Sequence, residues 1–305
     1  MPRVIEIKGL TKAYGKNVAL RDVDLTIGPR EVVGLIGPNG AGKTTLIKLI
    51  CSLLRPTRGT IAVNGRDVTK DVGYKARMAY MAENAGYYES MTAFEYLNRF
   101  GYLHSVADVR GRSKECLREV GLYEHGDERI STFSKGMKQR LGIARCLLND
   151  PELVIMDEPL TALDPNGKTD VIDLITRMRD RGATVILSSH ELRYMDDLCD
   201  RLCILKNGEL VENGTPESIV HKAGSLSHYK VLLKRPLTNE DILRAQFPEI
   251  VELSCLNNLL HLEVDGGADF EKRFLRFLLD NDIEFTVQSH QLDRIYSDYF
   301  REAEE

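Results

Sequence analysis

Short apolar runs that end in polar residues recur through the first 190 positions of the chain. Residues 31–36, 153–156 and 184–187 are three such runs, each of a length typical of a buried strand. They lead into a glycine-rich loop, into an acidic pair, and into two serines followed by a histidine. Because the carboxyl ends of parallel strands meet at one edge of a sheet, we expect these polar groups to gather at a single site.

Helical patterns alternate with these strands. Between residues 44 and 54, apolar residues stand at positions 46, 47, 49, 50, 53 and 54, which predicts a half-buried helix. A second helical pattern begins near Leu141 and stops before Asp150 and Pro151. Strands that alternate with helices are typical of an α/β protein.

The composition is that of a globular protein. Hydrophobic residues make up 43% and charged residues 29% of the 305 positions, which argues against long disordered stretches. The net charge is -5, so we expect no nucleic-acid partner. No apolar run reaches the roughly 18 residues that cross a bilayer, and the first residues lack a secretion signal, so we expect a cytosolic chain. The six cysteines are expected to be reduced core thiols.

The strongest local motif is Gly37-Pro38-Asn39-Gly40-Ala41-Gly42-Lys43-Thr44, which matches G-x-x-x-x-G-K-[ST] and is followed by Thr45. It stands between a predicted strand and a predicted helix, as a phosphate-binding loop requires. Its backbone N–H groups can point at phosphate oxygens, and the helix N-terminus adds about half a positive charge. Lys43 is expected to reach the β- and γ-phosphates, and Thr44 to ligate Mg²⁺. A glycine turn that happens to precede a helix is the alternative.

The other two predicted strands end in groups that can act on a bound phosphate. Asp157 is expected to hold the magnesium shell, directly or through water, and Glu158 to polarise an attacking water. His190 occupies the equivalent place after its own strand and is expected to contact the γ-phosphate, although a lone histidine is more often structural. Glu158 then decides whether the site hydrolyses the nucleotide or merely binds it.

A second helix start is predicted about 90 residues beyond the phosphate loop. It reads Ser134-Lys135-Gly136-Met137-Lys138-Gln139-Arg140. Ser134 is well placed as an N-cap, so this helix also presents N–H groups to an anion. One nucleotide has little use for two such helix ends from a single subunit.

Over roughly residues 4–222 the sequence resembles the ATP-binding subunits of ABC transporters. The Ser134 stretch resembles their signature motif, Thr161-Ala162-Leu163-Asp164 their D-loop, His190 their switch histidine, and Tyr14 the aromatic residue that stacks on adenine. The resemblance implies ATP and Mg²⁺ as cofactors and an ABC-type P-loop NTPase fold, with a mixed sheet core and a helical subdomain at about residues 84–150. It also implies a head-to-tail dimer of two such chains, in which each ATP lies between the phosphate loop of one subunit and the signature helix of the other.

The function that this resemblance implies is ATP hydrolysis that powers a membrane transporter through dimer closure. The membrane-spanning permease subunits would be separate chains, as in bacterial and archaeal exporters, and this chain would be peripheral, at the cytoplasmic face of the cell membrane. The main alternative is a soluble ABC-type ATPase that acts on a ribosomal, nucleic-acid or Fe–S assembly partner. An unrelated phosphate-loop kinase is a further alternative, but it leaves the Ser134 helix without a purpose.

Three positions depart from the commonest pattern of that family, two in the signature stretch and one at residue 83. Lys135 replaces a glycine and Phe133 a leucine in the signature stretch, while Ser134 and Gly136, expected near the γ-phosphate, are kept. Glu83 stands where the family more often has the glutamine that touches magnesium and the attacking water. A carboxylate can still ligate Mg²⁺ but adds negative charge beside the phosphates. We therefore expect nucleotide binding to be kept, and the effect on turnover stays open.

Aromatic residues are concentrated in residues 80–102. They are Tyr80, Tyr87, Tyr88, Phe94, Tyr96, Phe100 and Tyr102. Such residues are enriched at protein interfaces, although the core of a helical domain also recruits them. In the resembled family, the loop after the glutamine position receives a short helix of the permease. Residues 84–91, with Asn84, Tyr87 and Tyr88, are therefore the expected docking groove.

The last part of the chain has a different pattern, and a chain of 305 residues has room for two domains. Strands are predicted at residues 229–233, 250–255, 259–264 and 284–288, and helices at 240–247, at 270–279 and from Gln291. This βαββαβ order predicts a small α+β, ferredoxin-like accessory domain at residues 226–305, after an ABC ATPase domain at residues 1–222. It contains no catalytic cluster, so an interaction domain is favoured over a regulatory ligand domain.

Overall fold

The structure is a computed structural model, and it describes most of the chain. The described residues are 3–83, 86–161, 163–190, 194–222, 227–234, 241–256, 258–265, 268–281 and 283–287. The predictions for Asn84, for Ala162 and for a helix from Gln291 lie outside these residues. The chain divides into two compact units, Met1–Thr215 and Pro216–Glu305. The sequence predicts a domain boundary near residue 222, and the division into compact units falls between a strand that ends at Gly214 and a helix that begins at Pro216.

The first unit contains an antiparallel sheet in the order β2-β1-β4-β5. Its strands are β1 (Ile5–Tyr14), β2 (Asn17–Ile27), β4 (Arg58–Val63) and β5 (Arg66–Asp67). In β1 and β2, apolar residues at alternate positions are buried, for example Ile5 and Ile7 opposite Ile27 and Leu25. This alternation lays one face of the sheet on the core.

A six-stranded sheet carries the polar strand ends, in the order β10-β9-β3-β8-β7-β6. Its strands are β3 (Val32–Ile36), β6 (Met78–Met81), β7 (Leu153–Met156), β8 (Thr184–Ser189), β9 (Arg201–Lys206) and β10 (Glu209–Gly214). All neighbours pair in parallel except β9 and β10. Every residue of β3, β7 and β8 is buried, as expected for strands inside a covered parallel sheet. The three apolar runs found in the sequence are these three strands.

Six helices of the first unit lie in its described part. They are α1 (Lys43–Ile50), α2 (Ala93–Leu103), α3 (Val109–Glu119), α4 (Lys135–Leu147), α5 (Pro165–Asp180) and α6 (Met195–Leu198). Helix α1 is shorter than the predicted 44–54, because the backbone turns into the left-handed region at Ser52 (φ 53°) and leaves Leu53 exposed. Single polar side chains cap α2, α3, α4 and α5 at their N-termini, and each satisfies a backbone N–H group that the helix leaves free.

One hydrophobic cluster joins the two sheets of the first unit. It includes Ile7 of β1, Leu46 and Ile50 of α1, Leu35 of β3, and Ile155 of β7, all nearly inaccessible to solvent. Helix α1 is therefore anchored between the sheets. The phosphate loop that precedes it is held from both sides.

The second unit begins with helix α7 (Pro216–Lys222), and a four-stranded antiparallel sheet follows in the order β12-β13-β11-β14. The remaining elements are β11 (Ser227–Leu233), α8 (Asp241–Gln246), β12 (Ile250–Leu256), β13 (Leu259–Val264), α9 (Ala268–Asp280) and β14 (Phe285–Val287). Phe270 and Phe274 of α9 stack with ring centroids 5.5 Å apart, and both contact Phe247. The element order β-α-β-β-α-β is the predicted one, and the ferredoxin-like class remains our interpretation of it.

Candidate active site

The glycine loop runs from the end of β3 into the first turn of α1. A side chain at Gly37 would collide with the carbonyl oxygen of Leu205, and one at Gly42 would lie 2.7 Å from the carbonyl oxygen of Ala19. Gly42 also has a φ of 109°, which L side chains rarely adopt. These two positions therefore require glycine, and they bring the backbone of the loop close to β9 and β2.

Lys43 points back into the loop that it follows. Its Nζ donates to the carbonyl oxygens of Gly37 at 2.5 Å and of Pro38 at 3.2 Å. Burial lowers the pKa of Lys43, and the negative charges of Glu158, Asp157 and Glu83 oppose that change. The ammonium group is thus held at the loop, where it can meet a phosphate.

Asp157 and Glu158 follow β7 and are tied to the neighbouring strand. The hydroxyl of Ser188 donates to Asp157 Oδ1 at 2.6 Å, and the backbone N–H of Glu158 donates to Ser188 Oγ at 2.9 Å. Both acidic residues are buried, and Asp157 N–H donates to the carbonyl of Met81 at 2.8 Å. The acidic strand end is therefore fixed between β6 and β8.

The carboxylate of Glu158 meets two polar side chains from other segments. His190 Nδ1 lies 2.8 Å from Glu158 Oε2, and the hydroxyl of Thr161 donates to the same oxygen at 3.2 Å. The side chain of His190 is 47% exposed, whereas that of Glu158 is 10% exposed. A carboxylate that is held in this way at the lip of a cleft can accept a proton from water.

These groups line one cleft of about 230 Å³. Its lining residues are Ala19, Pro38, Asn39, Gly40, Gly42, Lys43, Thr44, Thr45, Glu83, Glu158 and His190. The structure thus brings together most of the predicted phosphate loop with Glu83, Glu158 and His190. It leaves out of the lining Gly37, Ala41, Asp157, Tyr14, Asp164 and the signature residues Ser134, Lys135, Gly136 and Met137.

The predicted site residues outside the lining are either buried or exposed. Gly37, Ala41 and Asp157 are part of the buried support behind the cleft. Tyr14 is 48% exposed at the end of β1, with Lys12 Nζ 4.9 Å from its ring centroid. Asp164 is exposed and accepts from the N–H of Gly167 at 3.3 Å as the N-cap of α5.

The signature segment forms the exposed N-terminus of α4. Ser134 Oγ accepts from the N–H of Met137 at 3.2 Å, so Ser134 is the N-cap that the sequence predicts. Ser134 and Lys135 are exposed, and a side chain at Gly136 would approach Leu163 at 3.3 Å. The N-terminus of α4 is therefore exposed and lies outside the lining of the cleft in the same chain.

The donors that could hold Mg²⁺ are the hydroxyl of Thr44 and the carboxylates of Glu83 and Asp157. All three are oxygen ligands, which Mg²⁺ prefers, and it usually takes one or two carboxylates with phosphate oxygens and water. Among the described residues no set of three or more histidine, cysteine or acidic side chains forms a metal site by itself. The donors therefore suit a cation that arrives with a nucleotide.

The two tyrosines of the expected docking loop differ in their surroundings. Tyr87 is half-buried, and its hydroxyl donates to the carbonyl of Lys138 in α4 at 2.7 Å. Tyr88 is 48% exposed, and the guanidinium of Arg99 lies 5.1 Å from its ring centroid. Of this pair, Tyr88 is the more exposed.

Two supporting residues are absent from the predicted site. Ser188 holds both acidic residues, and Gln139 Nε2 donates to the carbonyl of Pro159 at 2.7 Å and that of Glu158 at 3.4 Å. Ser188 has a sequence signal, since it belongs to the polar end of a buried strand. Gln139 stands within the signature stretch, but nothing in its spacing points to the acidic turn.

A parallel sheet with a glycine loop before α1 and an acidic pair after β7 defines a P-loop nucleoside triphosphatase. The sequence pattern of the family described as ABC transporter matches residues 20–161. The chain is 33% identical to the uncharacterized ABC transporter ATP-binding protein YhcH of Bacillus subtilis, over 90% of this chain and 96% of that protein. It is 30% identical to the linearmycin resistance ATP-binding protein LnrL of the same species, over 96% and 97% of the two chains.

Solved structures give the same result. An ATP-binding subunit of an ABC transporter is 34% identical, with a TM-score of 0.68 over 72% of this chain and 93% of that chain. A dimeric, post-hydrolysis ATP-binding cassette bound to ADP and Pi is 25% identical, with a TM-score of 0.65 over 69% of this chain and 98% of that chain. The chain belongs to the ABC transporter family and is an ATP-binding, ATP-hydrolysing subunit. The predicted fold class of the first unit and the predicted transporter ATPase function are thereby confirmed.

ABC ATPase subunits work with permeases and form dimers, so the coarse prediction of both partners is also confirmed. In the part of the chain that the structure describes, none of the helices has the length and apolar character needed to span a bilayer.

Proposed function

We propose that two copies of this chain close head to tail around two ATP molecules and that ATP hydrolysis reopens them. The closing and opening would move permease subunits that are separate polypeptides. The relative named for resistance to linearmycin favours export as the direction of transport. The chain would then work at the cytoplasmic face of the cell membrane, on permeases embedded in it.

The observation that carries this proposal is the separation of two anion-binding helix ends. The N-terminus of α1 opens into the cleft, whereas the N-terminus of α4, at Ser134 and Gly136, is accessible and lies outside the lining of that cleft. A two-fold symmetric dimer places the α4 end of each copy over the cleft of the other. Each subunit then completes the nucleotide-binding site of its partner.

Within each cleft the residues take separate roles. Lys43 and the loop N–H groups bind the phosphates, and Tyr14 stacks on the adenine. Glu158 accepts a proton from the attacking water, and His190, hydrogen-bonded to Glu158 Oε2, contacts the γ-phosphate. From the partner, Ser134 and Gly136 donate to the γ-phosphate, and Asp164 lies at the same interface.

Thr44, Asp157 and Glu83 would hold the magnesium ion. When bound, Mg²⁺ supplies positive charge that offsets the charge of the β- and γ-phosphates. Ser188 orients Asp157 through the 2.6 Å hydrogen bond that its hydroxyl donates to Oδ1. Glu83 adds a negative charge where a glutamine would be neutral.

The permease would dock near residues 84–91. Tyr88 is the best-placed anchor, because its ring is exposed and carries Arg99 beside it. Tyr87 contributes less to an open surface, because its hydroxyl is bound to α4.

The test is Glu158→Gln, which keeps the shape of the side chain and removes the base. We expect the rate of ATP hydrolysis to fall by about 10² to 10⁴-fold, because general-base assistance contributes an effect of that size. With MgATP the variant should elute as a dimer in size-exclusion chromatography and as a monomer without nucleotide. Coupled phosphate release measures the rate.

Glu209→Gln is the matched control, since it makes the same change at an exposed position of β10. It should leave hydrolysis and elution as in the parent chain. A Glu158→Gln chain that binds MgATP and stays monomeric at high protein concentration would refute the closed-dimer proposal.

A further inference from the structure

A glycine inside the signature helix leaves a notch that two side chains fill. Gly142 lies in the middle of α4 and is buried, although glycine weakens a helix relative to alanine. A Cβ atom there would lie 2.8 Å from Tyr87 Oη and 3.0 Å from Met81 Sδ. The first distance is shorter than real Cβ contacts and the second is tighter than most of them, so an added side chain would displace the Tyr87 hydroxyl and press on Met81. The lack of a side chain at Gly142 is therefore what lets these two residues reach the helix.

The two side chains flank a residue of the active site in sequence. Met81 is the last residue of β6, and its carbonyl accepts from the N–H of Asp157 at 2.8 Å. Tyr87 follows four residues after Glu83, which lines the cleft. The notch at Gly142 is therefore filled by Met81, which precedes Glu83 in sequence, and by Tyr87, which follows it.

Tyr87 is also fixed by a directional bond. Its hydroxyl donates to the carbonyl of Lys138, one turn before Gly142 in α4, at 2.7 Å. Its ring packs on Tyr96 of α2 with centroids 5.6 Å apart. Burial raises the pKa of Tyr87, so the phenol keeps its proton and remains a donor.

The side chain of Arg145, also in α4, binds the residue that precedes Met81. Arg145 Nη2 donates to the carbonyl of Tyr80 at 3.0 Å, and Nη1 donates to the hydroxyl of Tyr96 at 3.0 Å. Residues 80, 81 and 87 are thus all attached to α4. Helix α4 begins at the signature residues, so the described residues that flank Glu83 in sequence and the signature end are held by the same helix.

We propose that Tyr87 is a positioning residue that links the ATP cleft to the signature helix of the same chain. Through its hydrogen bond to Lys138, it keeps the N-terminus of α4 aligned with the cleft, so that a chain with bound MgATP presents its signature end in the orientation that the partner's nucleotide requires. The proposal rests on the head-to-tail dimer proposed above. It assigns to Tyr87 a role inside the chain, apart from any contact with a permease.

The test is Tyr87→Phe in the Glu158→Gln chain, which we expect to form the stable dimer. The variant keeps the ring on Tyr96 and loses only the hydrogen bond. We expect the affinity of the monomer for MgATP to change by less than about twofold, because no atom of the cleft is altered. At saturating MgATP, the dissociation constant of the dimer should rise about fivefold for each chain, or about 25-fold for two, as the loss of a neutral hydrogen bond implies.

Gly142→Ala tests the notch independently. Alanine favours the helix more than glycine does, but its methyl group would meet Tyr87 Oη and Met81 Sδ. The added methyl group displaces the Tyr87 hydroxyl, so the dimer should weaken as in Tyr87→Phe. The double variant should be no weaker than Tyr87→Phe alone, because the hydroxyl that collides with the methyl group is gone.

Tyr102→Phe is the matched control, since Tyr102 is 64% exposed on α2 and loses the same hydroxyl group. Analytical ultracentrifugation gives the dimer constants, and nucleotide titration of dilute monomer gives the affinities. A Tyr87→Phe dimer as stable as the parent, or a chain with only a lower melting temperature, would overturn the inference. If the parent Glu158→Gln chain itself fails to dimerise, the proposed function is refuted first.

Discussion

At the scale of single residues, Glu158 has an unusual backbone. Its φ of 54° lies in the left-handed region, which costs a non-glycine residue about 1–3 kcal/mol. The conformation is stabilised by Ser188 Oγ, which accepts from its N–H, and by Gln139, which donates to the carbonyls of Glu158 and Pro159. Gln139 belongs to α4, so the signature helix also supports the acidic turn.

The cysteines give a prediction at the same scale. Burial raises the pKa of Cys51, Cys116 and Cys203 to about 12 and that of Cys146 to about 11. Only the thiolate reacts with disulfide reagents, so these thiols should be inert at neutral pH. Cys255 is the half-buried exception.

We expect Ellman's reagent to modify at most one thiol of the native chain, Cys255, and all six after unfolding in guanidinium. Peptide mass spectrometry assigns the labelled residue. Rapid reaction of two or more thiols in the native chain would contradict the packing described above.

The sequence predicts those site residues whose chemistry follows from their place after a strand. Lys43, Glu158 and His190 line the cleft as the strand-end argument requires. The role of Tyr87 was not predictable, because its partner Lys138 lies 51 positions away and a carbonyl oxygen carries no residue signature. Its aromatic neighbours in sequence favoured an interface instead.

At the scale of elements, the N-terminus of α2 is stabilised by a capping box. Thr92 Oγ1 accepts from the N–H of Glu95 at 3.1 Å, and Glu95 Oε2 accepts from the N–H of Thr92 at 2.9 Å. Helix α2 buries Tyr96 and Leu97 completely, so its first turn positions the ring on which Tyr87 packs.

Thr92→Ala should lower the free energy of unfolding by about 1 kcal/mol, because it leaves a backbone donor without its cap. Thr92→Ser keeps the hydroxyl and should stay within a few tenths of a kcal/mol of the parent. Urea titration followed by circular dichroism measures both. Equal stability of the alanine and serine variants would show that the cap contributes nothing.

Elements with strong local signals were predicted well. Strand β7 was predicted at its observed bounds, because its apolar run ends abruptly at an acidic pair. Helix α1 was predicted four residues too long, since Leu53 and Leu54 continue the apolar period after the backbone has turned at Ser52. A positive φ at a serine depends on the tertiary surroundings, so the hydrophobic pattern does not predict it.

At the scale of the whole molecule, the two units have separate hydrophobic clusters. The cluster of the first unit includes Leu46 and Ile155, and that of the second includes Phe247 and Phe274, with no residue in common. The residues that line the cleft all belong to the first unit. Nucleotide binding should therefore need that unit alone.

A chain that ends at Thr215 is expected to fold and to bind MgATP with an affinity within about threefold of the full chain, since no lining residue is removed. Isothermal titration calorimetry measures the affinity, and Lys43→Ala in the same short chain gives the non-binding control. An unfolded or aggregated short chain would show that the units are not independent.

Local sequence patterns do not predict the order of strands in the sheets. Strand β3 pairs with β8 and β9, which lie far along the chain, because the hydrogen bonds of a buried strand are satisfied by whichever neighbour the tertiary fold supplies. The sequence analysis therefore predicts a mixed sheet core but no strand order.

The central place of β3 also has a consequence for synthesis on the ribosome. A nascent chain that has been translated only through α4 already contains the complete glycine loop, but it lacks β8 and β9, and it lacks Leu205, against which Gly37 is packed. Such a chain contains the loop residues but lacks the strands and the residue that pack around the loop. We therefore expect nucleotide to stabilise the first unit only after Lys206 has left the exit tunnel.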